Sequence, residues 1–384
     1  MERSKKTAKV CMLITDAISF NVLCRGQLEY FRDKSNLEIT LICGGCQEQL
    51  NILAARKVGK VVNAKFHRKP SFFQDIKSLI FLFFFFLFNR FDLVIYSTPK
   101  ALLLGSIASY LTCQKRRIAL VRGRAYENFS GKKRKIYEFL DKICLLMTHK
   151  TIFISKSLKE AYQIEKLINV KKAFLLGAGS SNGVDTNKYR PKTNLKMSIV
   201  HEEPINSLSN IFTVLIVGRI CPDKGLYDLA EILKNLKQTN LQFLIVGQIE
   251  DKISESFLED LKQEYPFLQH IPHSNNVVQY FQKADLHLFL SHREGFGNVA
   301  IEAASCGVPT FAYDVVGVKD SVSNNISGQR FNFKDTLTVA NAINQAATDI
   351  HFQKPYGSAR DWAIQNFDQM KVWQNYLNFY LQNL

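Results

Sequence analysis

Residues 291–322 read SHREGFGNVAIEAASCGVPTFAYDVVGVKDSV. They follow an apolar run from Ala284 to Leu290, and Asn298, Ile301, Glu302 and Ser305 recur at the spacing of one helical face. The stretch therefore predicts a strand, a Gly-rich turn and a helix, with Glu294 in the turn and Glu302 about two turns along the helix. In an open α/β sheet, ligands bind outside the carboxyl ends of the strands, where free N–H groups at a helix N-terminus suit an anion. Two carboxylates at such a mouth can grip two parts of one extended ligand. That describes a nucleotide-sugar better than a bare phosphate.

Upstream of this stretch, IFTVLIVGR reads as a buried strand, CPDKG as a turn and LYDLAEILKNL as a helix with apolar Leu226, Leu229, Ala230 and Leu233. LQFLIVG is a second strand; a helix over 253–264, a short strand near His270 and Ile271 and a helix over 276–284 lead back to the strand before Glu294. Arg219 and Lys224 thus flank a strand-to-helix turn on the same rim as Glu294. A departing diphosphate gathers negative charge, and a site without a metal must meet it with cations and N–H donors. Arg offers a fork to two phosphate oxygens and Lys a point charge. The chain holds no D-x-D pair, and its eight His form no H-x-x-x-H cluster, so a metal is not expected.

Two Glu residues at this spacing are common in helices. With GFGN directly after the first and GVPT after the second, the stretch resembles the retaining glycosyltransferases of family 4. That resemblance implies the GT-B fold: two Rossmann-like, doubly wound α/β domains facing a cleft. It implies that Glu294 is the catalytic residue, touching sugar hydroxyls near the reacting carbon and positioning rather than attacking. Donor contacts fall on Gly218, Arg219, Lys224, Gly295, Phe296, Gly297, Asn298 and Glu302, with Arg219 and Lys224 on the diphosphate and Glu302 on the ribose. The Phe296 side chain is expected to pack. A carboxylate only accepts hydrogen bonds and so suits vicinal hydroxyls, and glycines let a ligand approach the backbone. No cofactor is implied, and the donor phosphate is expected to take the acceptor's proton on the face that the nucleotide leaves.

The first half alternates in the same way. VCMLIT, LEITLIC, KVVNA, FDLVIYS, RIALVR, TIFIS and AFLLG are strand-like runs separated by helical lengths, which argues for a parallel sheet. LVRGRAYE at 120–127 resembles the R-G-x-x-Y-E form of capsule and lipid-linked oligosaccharide transferases, making Arg122, Arg124 and Glu127 acceptor-side candidates. An Arg paired with Glu127 for structural reasons is equally compatible. GAGSSNG at 177–183 has the wrong glycine spacing and context for a dinucleotide fingerprint. It reads as a turn-rich exit similar to the family's NG-[VI]-D segment. The expected organisation is 1–190 for the acceptor-binding domain, 191–210 for a linker containing Pro204, and 211–365 for the nucleotide-sugar domain. The last segment, 366–384, is expected as a helix returning to the first domain.

Charge is unevenly spread. Residues 1–190 hold 34 Lys+Arg against 14 Asp+Glu, a balance of +20, and 191–384 hold 16 against 20, a balance of −4. A basic half suggests a polyanionic surface, with a solvated basic face as the plainer reading. No nucleic-acid module accompanies it, so nucleic acid is not an expected partner. Cys43-Gly44-Gly45-Cys46 lacks a second pair or a His cluster, and reads as a strand end and loop. The apolar run after Lys9 breaks at Thr15-Asp16, too short for a signal-peptide core, so a cytoplasmic location is expected. The run from Leu79 to Phe88, LIFLFFFFLF, is half the length needed to span a bilayer. A buried helix and a helix with its aromatic face in the lipid interface both remain open.

The leading expectation is a metal-independent transferase at the cytoplasmic membrane face. It would move a hexose or N-acetylhexosamine from a UDP-sugar, rather than a GDP-sugar, to a polyprenyl-diphosphate-linked glycan. A sugar-nucleotide 2-epimerase on the same fold and a non-catalytic basic binding protein are the alternatives.

Overall fold

The apolar runs of the first half become β1 (Ala8–Asp16), β2 (Leu37–Gly44), β3 (Lys60–Asn63), β4 (Leu93–Ser97), β5 (Arg117–Val121), β6 (Lys150–Phe153) and β7 (Ala173–Leu175). Between and after them run α1 (Ala17–Leu23), α2 (Gln27–Lys34), α3 (Gln47–Ala55), α4 (Phe72–Phe88), α5 (Pro99–Leu111), α6 (Gly131–Leu146) and α7 (Lys156–Ile164). The second half supplies β8 (Phe212–Val217), β9 (Leu241–Val246), β10 (Leu268–Ile271), β11 (Leu286–Phe289), β12 (Thr310–Tyr313) and β13 (Gly328–Phe331). Its helices are α8 (Leu226–Lys234), α9 (Lys252–Glu264), α10 (Val278–Phe281), α11 (Asn298–Ser305), α12 (Val318–Ser321), α13 (Thr336–Ala346) and α14 (Ala359–Phe367), with α15 (Gln369–Leu381) closing the chain. This computed structural model describes residues 7–67, 71–124, 126–192, 211–274 and 276–384. Most of the expected linker, 193–210 with Pro204, lies outside the described residues.

The strands form two sheets, ordered β3-β2-β1-β4-β5-β6-β7 and β10-β9-β8-β11-β12-β13. Every pairing is parallel. Parallel strands need helical crossovers, which cover both faces of the sheet, so the strands are apolar at successive positions rather than at alternate ones. Val10 to Ile14 of β1 are buried without a break, as are Phe243 to Val246 of β9. Local chemistry sets the helix starts. Asp16 accepts from Ile18 N at 3.0 Å, Asp251 accepts from Ser254 N at 2.8 Å, and Pro99 opens α5.

The chain divides into two compact units, Met1–Gly183 with Gln369–Leu384, and Val184–Asp368. The sequence boundary of 190 differs from this division because 184–190 is pinned to the second unit. Val184 N donates to Phe367 O at 2.8 Å, Thr186 Oγ1 to Asp368 Oδ2 at 2.7 Å, and Arg360 to the carbonyls of Thr186 and Tyr189. In the first unit α15 is anchored by its aromatic residues. Trp373 Nε1 donates to Asn182 Oδ1 at 2.7 Å, Tyr376 OH to Ser180 O at 3.2 Å, and Phe379 meets Phe174.

The Phe-rich run lies in α4. Only Ser78, Leu82 and Phe86 of this helix are buried, whereas Phe72, Phe73, Ile80, Phe84 and Phe88 are exposed, Phe88 by 80%. Of the two placements the sequence leaves open, the structure has the aromatic face exposed. Among the described residues no helix is long and apolar enough to cross a membrane.

Candidate active site

The carboxyl ends of β8 and β11 carry the two loops that the sequence singles out. After β8 comes Gly218-Arg219, then a turn through Pro222 to Gly225; after β11 comes 290–297, ending at the start of α11. Gly225 sits at φ +81°, where a Cβ would stand 2.4 Å from Leu290 Cβ, so only glycine lets the first loop press on the end of β11. Gly297, at φ +90°, precedes α11, and a Cβ there would meet the Phe289 ring at 2.8 Å.

Side chains then stitch the loops together. Lys224 Nζ is ion-paired to Glu294 Oε1 and donates to Ser291 Oγ at 3.3 Å, while Ser291 Oγ donates to Glu294 Oε1 at 3.1 Å. Arg293 Nε donates to Asp223 Oδ2 at 2.8 Å, and His292 N to Asp223 O at 2.9 Å. His292 Nε2 lies 2.7 Å from Asp228 Oδ2 on α8. Burial pushes the Asp228 carboxyl up, but the hydrogen bond and charge of His292 outweigh it and hold the group below its ordinary value. The expected Lys224 and Glu294 are therefore brought into contact in a partly open position. Their exposures of about one fifth leave both reachable from solvent.

Other predicted residues stand differently. Arg219 is exposed, and its Nη1 alone donates to both carboxylate oxygens of Glu250, at 2.6 and 2.7 Å. The Phe296 ring is buried against Phe367, the packing expected of it, so only its backbone can serve a ligand. Gly295 and Asn298 are partly exposed, Asn298 as the first residue of α11. Glu302 is on α11, hydrogen-bonded with Tyr189; burial pushes its carboxyl up to about 7, against the opposing pull of Lys188 and Tyr189. A carboxyl held that far above its ordinary value makes a functional-site candidate when it lies on a ligand rim.

In the first unit Arg124 is buried. It grips Glu127 with two bonds of 2.6 Å and Glu165 with a third of 2.6 Å, and Arg134 reaches Glu165 at 2.9 Å. Arg124 and Glu127 are thus a structural ion pair and not free acceptor-side groups, because a buried guanidinium must be paired. Arg122 differs. Its Nε donates to Ser97 Oγ at 3.0 Å, it has no acidic partner among the described residues, and its Nη1 is buried without a hydrogen-bond partner. Among the described residues no group of three or more His, Cys, Asp or Glu could hold a metal.

Sequence reasoning missed Ser291, Asp223, Asp228, His292, Tyr189 and Glu250. Each acts through a partner 31 to 113 positions away, as for Arg219 with Glu250, and no local pattern marks that. Tyr189 alone had a signal, its place just after the NG-V-D segment.

The fold agrees with what known proteins show. Residues 201–360 match the sequence model of the glycosyl transferases group 1. This chain belongs to the group 1 glycosyltransferases, and its two parallel-sheet units are those of the GT-B fold. It is 30% identical, over 98% of its length and 97% of the relative's, to the capsular polysaccharide biosynthesis glycosyltransferase CapM of Staphylococcus aureus. It is 25% identical, over 79% of both chains, to the UDP-Gal:alpha-D-GlcNAc-diphosphoundecaprenol alpha-1,3-galactosyltransferase of Escherichia coli. Among solved structures, Anabaena HepE in complex with UDP and glucose superposes with a TM-score of 0.75 at 18% identity, covering 98% of this chain and all of that one.

Proposed function

We propose that this glycosyltransferase works in surface polysaccharide synthesis. It moves a hexose or N-acetylhexosamine from a UDP-sugar to a polyprenyl-diphosphate-linked glycan, with retention and without a metal. The observation that carries the reading is the Lys224–Ser291–Glu294 contact on the rim that also holds Glu302. In the reaction the bond between the anomeric carbon and the β-phosphate oxygen breaks, an acceptor hydroxyl oxygen bonds to that carbon from the same face, and its proton passes to the departing diphosphate. Lys224 and the N–H groups at the start of α11 meet the charge that develops on the diphosphate, with Gly218 letting it approach the backbone. Arg219 exchanges Glu250 for phosphate oxygens, to which its guanidinium can present two parallel N–H bonds. Glu294, freed as Lys224 turns to phosphate, accepts from sugar hydroxyls; Gly295, Gly297 and Asn298 line the sugar, and Glu302 accepts from the ribose. On the first unit Arg122, partly exposed and without an acidic partner among the described residues, suits the acceptor's diphosphate.

The first unit also suits an anionic bilayer. As well as the aromatic face of α4, the unit exposes Ile136, Phe139 and Leu146 of α6 at helical spacing, flanked by exposed Lys132, Lys133, Lys135 and Lys142. Helix α5 packs against both α4 and α6. Apolar residues bounded by lysines match an interfacial docking face, with about 1 kcal/mol per lysine from an anionic leaflet. The test is nucleotide release from a panel of UDP- and GDP-sugars, with and without vesicles carrying a polyprenyl-diphosphate glycan. Release of UDP that requires the lipid acceptor is the expected result; conversion of a UDP-sugar at C2 without acceptor would replace the reading by the epimerase.

A further inference from the structure

A third place on the molecule combines space with unused polar groups. Where β1, β2 and β3 end, Asp16, Gly45, Asn63, Lys65, Phe66 and His67 line an open cavity of about 420 Å³. That lies within the about 300–1,000 Å³ of small-ligand pockets. Its shape is built. Gly44 and Gly45, the centre of the Cys43–Cys46 motif, are held between two neighbours: a Cβ at Gly44 would stand 2.4 Å from Phe66 O, and one at Gly45 2.8 Å from Asp16 Oδ1. The glycines of that motif therefore serve close packing under the cavity rather than thiol chemistry. Lys65 is in a left-handed conformation (φ +52°), its N–H donating to Asn63 Oδ1 at 2.8 Å.

The lining has functional groups to spare. Asp16 uses one carboxylate oxygen as the cap of α1, and the other has no hydrogen-bond partner among the described residues. The side chains of Lys65 and His67 are exposed and form no ion pair among the described residues. A carboxylate and an ammonium in one lining, with an amide and an imidazole in the same lining, suit neutral hydroxyls: the carboxylate accepts, and the lysine donates. An anion would face Asp16 and meet repulsion, so a phosphate is the poorer occupant.

We propose that this cup seats a neutral sugar ring of the acceptor glycan. The inference rests on the transferase reading above and names the part of its substrate that the first sheet would recognise. Arg122 would then serve the acceptor's diphosphate and the cup its sugar.

The test is saturation-transfer NMR on the full chain with methyl glycosides of glucose, galactose, mannose and N-acetylglucosamine, UDP being kept saturating to fill the donor site. At least one glycoside is expected to bind in the millimolar range, and Asp16→Asn and Lys65→Ala are each expected to weaken it fivefold or more. Asn still caps α1, so folding is retained; thermal unfolding of both variants checks this. Silence from all four glycosides with the wild type, or affinity unchanged in both variants, would overturn the cup. Failure of the wild type to bind UDP at all would instead overturn the UDP-sugar part of the transferase reading, because UDP binding is read separately from the glycoside signal.

Discussion

The two sheets share one architecture and differ in how they use charge at their carboxyl rims. On the second sheet, Lys224, Glu294, Arg293 and Asp223 form ion pairs that are partly exposed and join two loops. On the first, Arg124 sinks its charge in Glu127 and Glu165, whereas Arg122 meets no acid among the described residues. The difference teaches what an ion pair at a rim is for. An open pair between loops is available to exchange its partner for a ligand, whereas a buried one fixes the backbone. The surfaces diverge in parallel: residues 1–190 carry the basic excess, and the first unit exposes Phe72, Phe73, Phe84, Phe88 and Phe139.

Breaking the open pair should have the largest effect on activity. Glu294→Gln is expected to lower transfer by about 10²–10³-fold while the protein stays folded, as for the loss of one preorganised polar contact at a reacting centre. Steady-state rates beside a melting curve check this, and wild-type turnover would remove Glu294 from the site.

The contrast between the two arginines sharpens the comparison. Arg124→Ala leaves Glu127 and Glu165 facing each other without their shared cation and should cost about 3–5 kcal/mol, read as a large drop in denaturant midpoint. Arg122→Ala should leave that midpoint nearly unchanged and raise the acceptor KM. The reverse pattern would exchange the two assignments.

A smaller effect is expected at the surface. Phe84→Glu with Phe88→Glu on α4, and separately Lys132→Glu with Lys135→Glu on α6, should each reduce co-sedimentation with anionic vesicles about tenfold or more, the second only at low salt. Binding to neutral vesicles as strong as to anionic ones would break the charge part of the account.

The smallest effect concerns Glu302, whose carboxyl stands at about 7 against an ordinary 4.5. A raised folded-state value means that the unfolded chain releases this proton first as pH rises. Stability from Glu302 is therefore complete below about 4.5 and is lost as pH rises towards 7. Glu302→Gln, a mimic of the neutral form, should thus gain thermal stability over wild type increasingly from about pH 4.5 to 7 and by a constant few degrees above. It should also weaken UDP binding. A stability gain independent of pH would contradict the buried-carboxyl reading.

Much of this was legible in the residues. Both sheets could be read because parallel strands bury both faces and so stand out as unbroken apolar runs, from VCMLIT to LQFLIVG. The donor rim could be read because glycines at 225, 295 and 297 and the two Glu residues sit in one local pattern. The attachment of 184–190 to the second unit was not legible, since a turn-rich segment looks like an exit whether or not Arg360 holds its carbonyls. Nor was the exposure of α4, because ten apolar residues in a row carry no periodicity that separates a buried face from an open one. The choice between a structural Arg124 and a functional one turned on Glu165, 41 positions away.

The most direct measurement is crossed steady-state kinetics, varying UDP-sugar and lipid-linked acceptor in turn for the wild type, Lys224→Ala and Arg122→Ala. The account predicts that Lys224→Ala lowers kcat and raises only the donor KM, while Arg122→Ala raises only the acceptor KM. Donor KM moving with Arg122, or acceptor KM moving with Lys224, would contradict the division of labour between the two sheets.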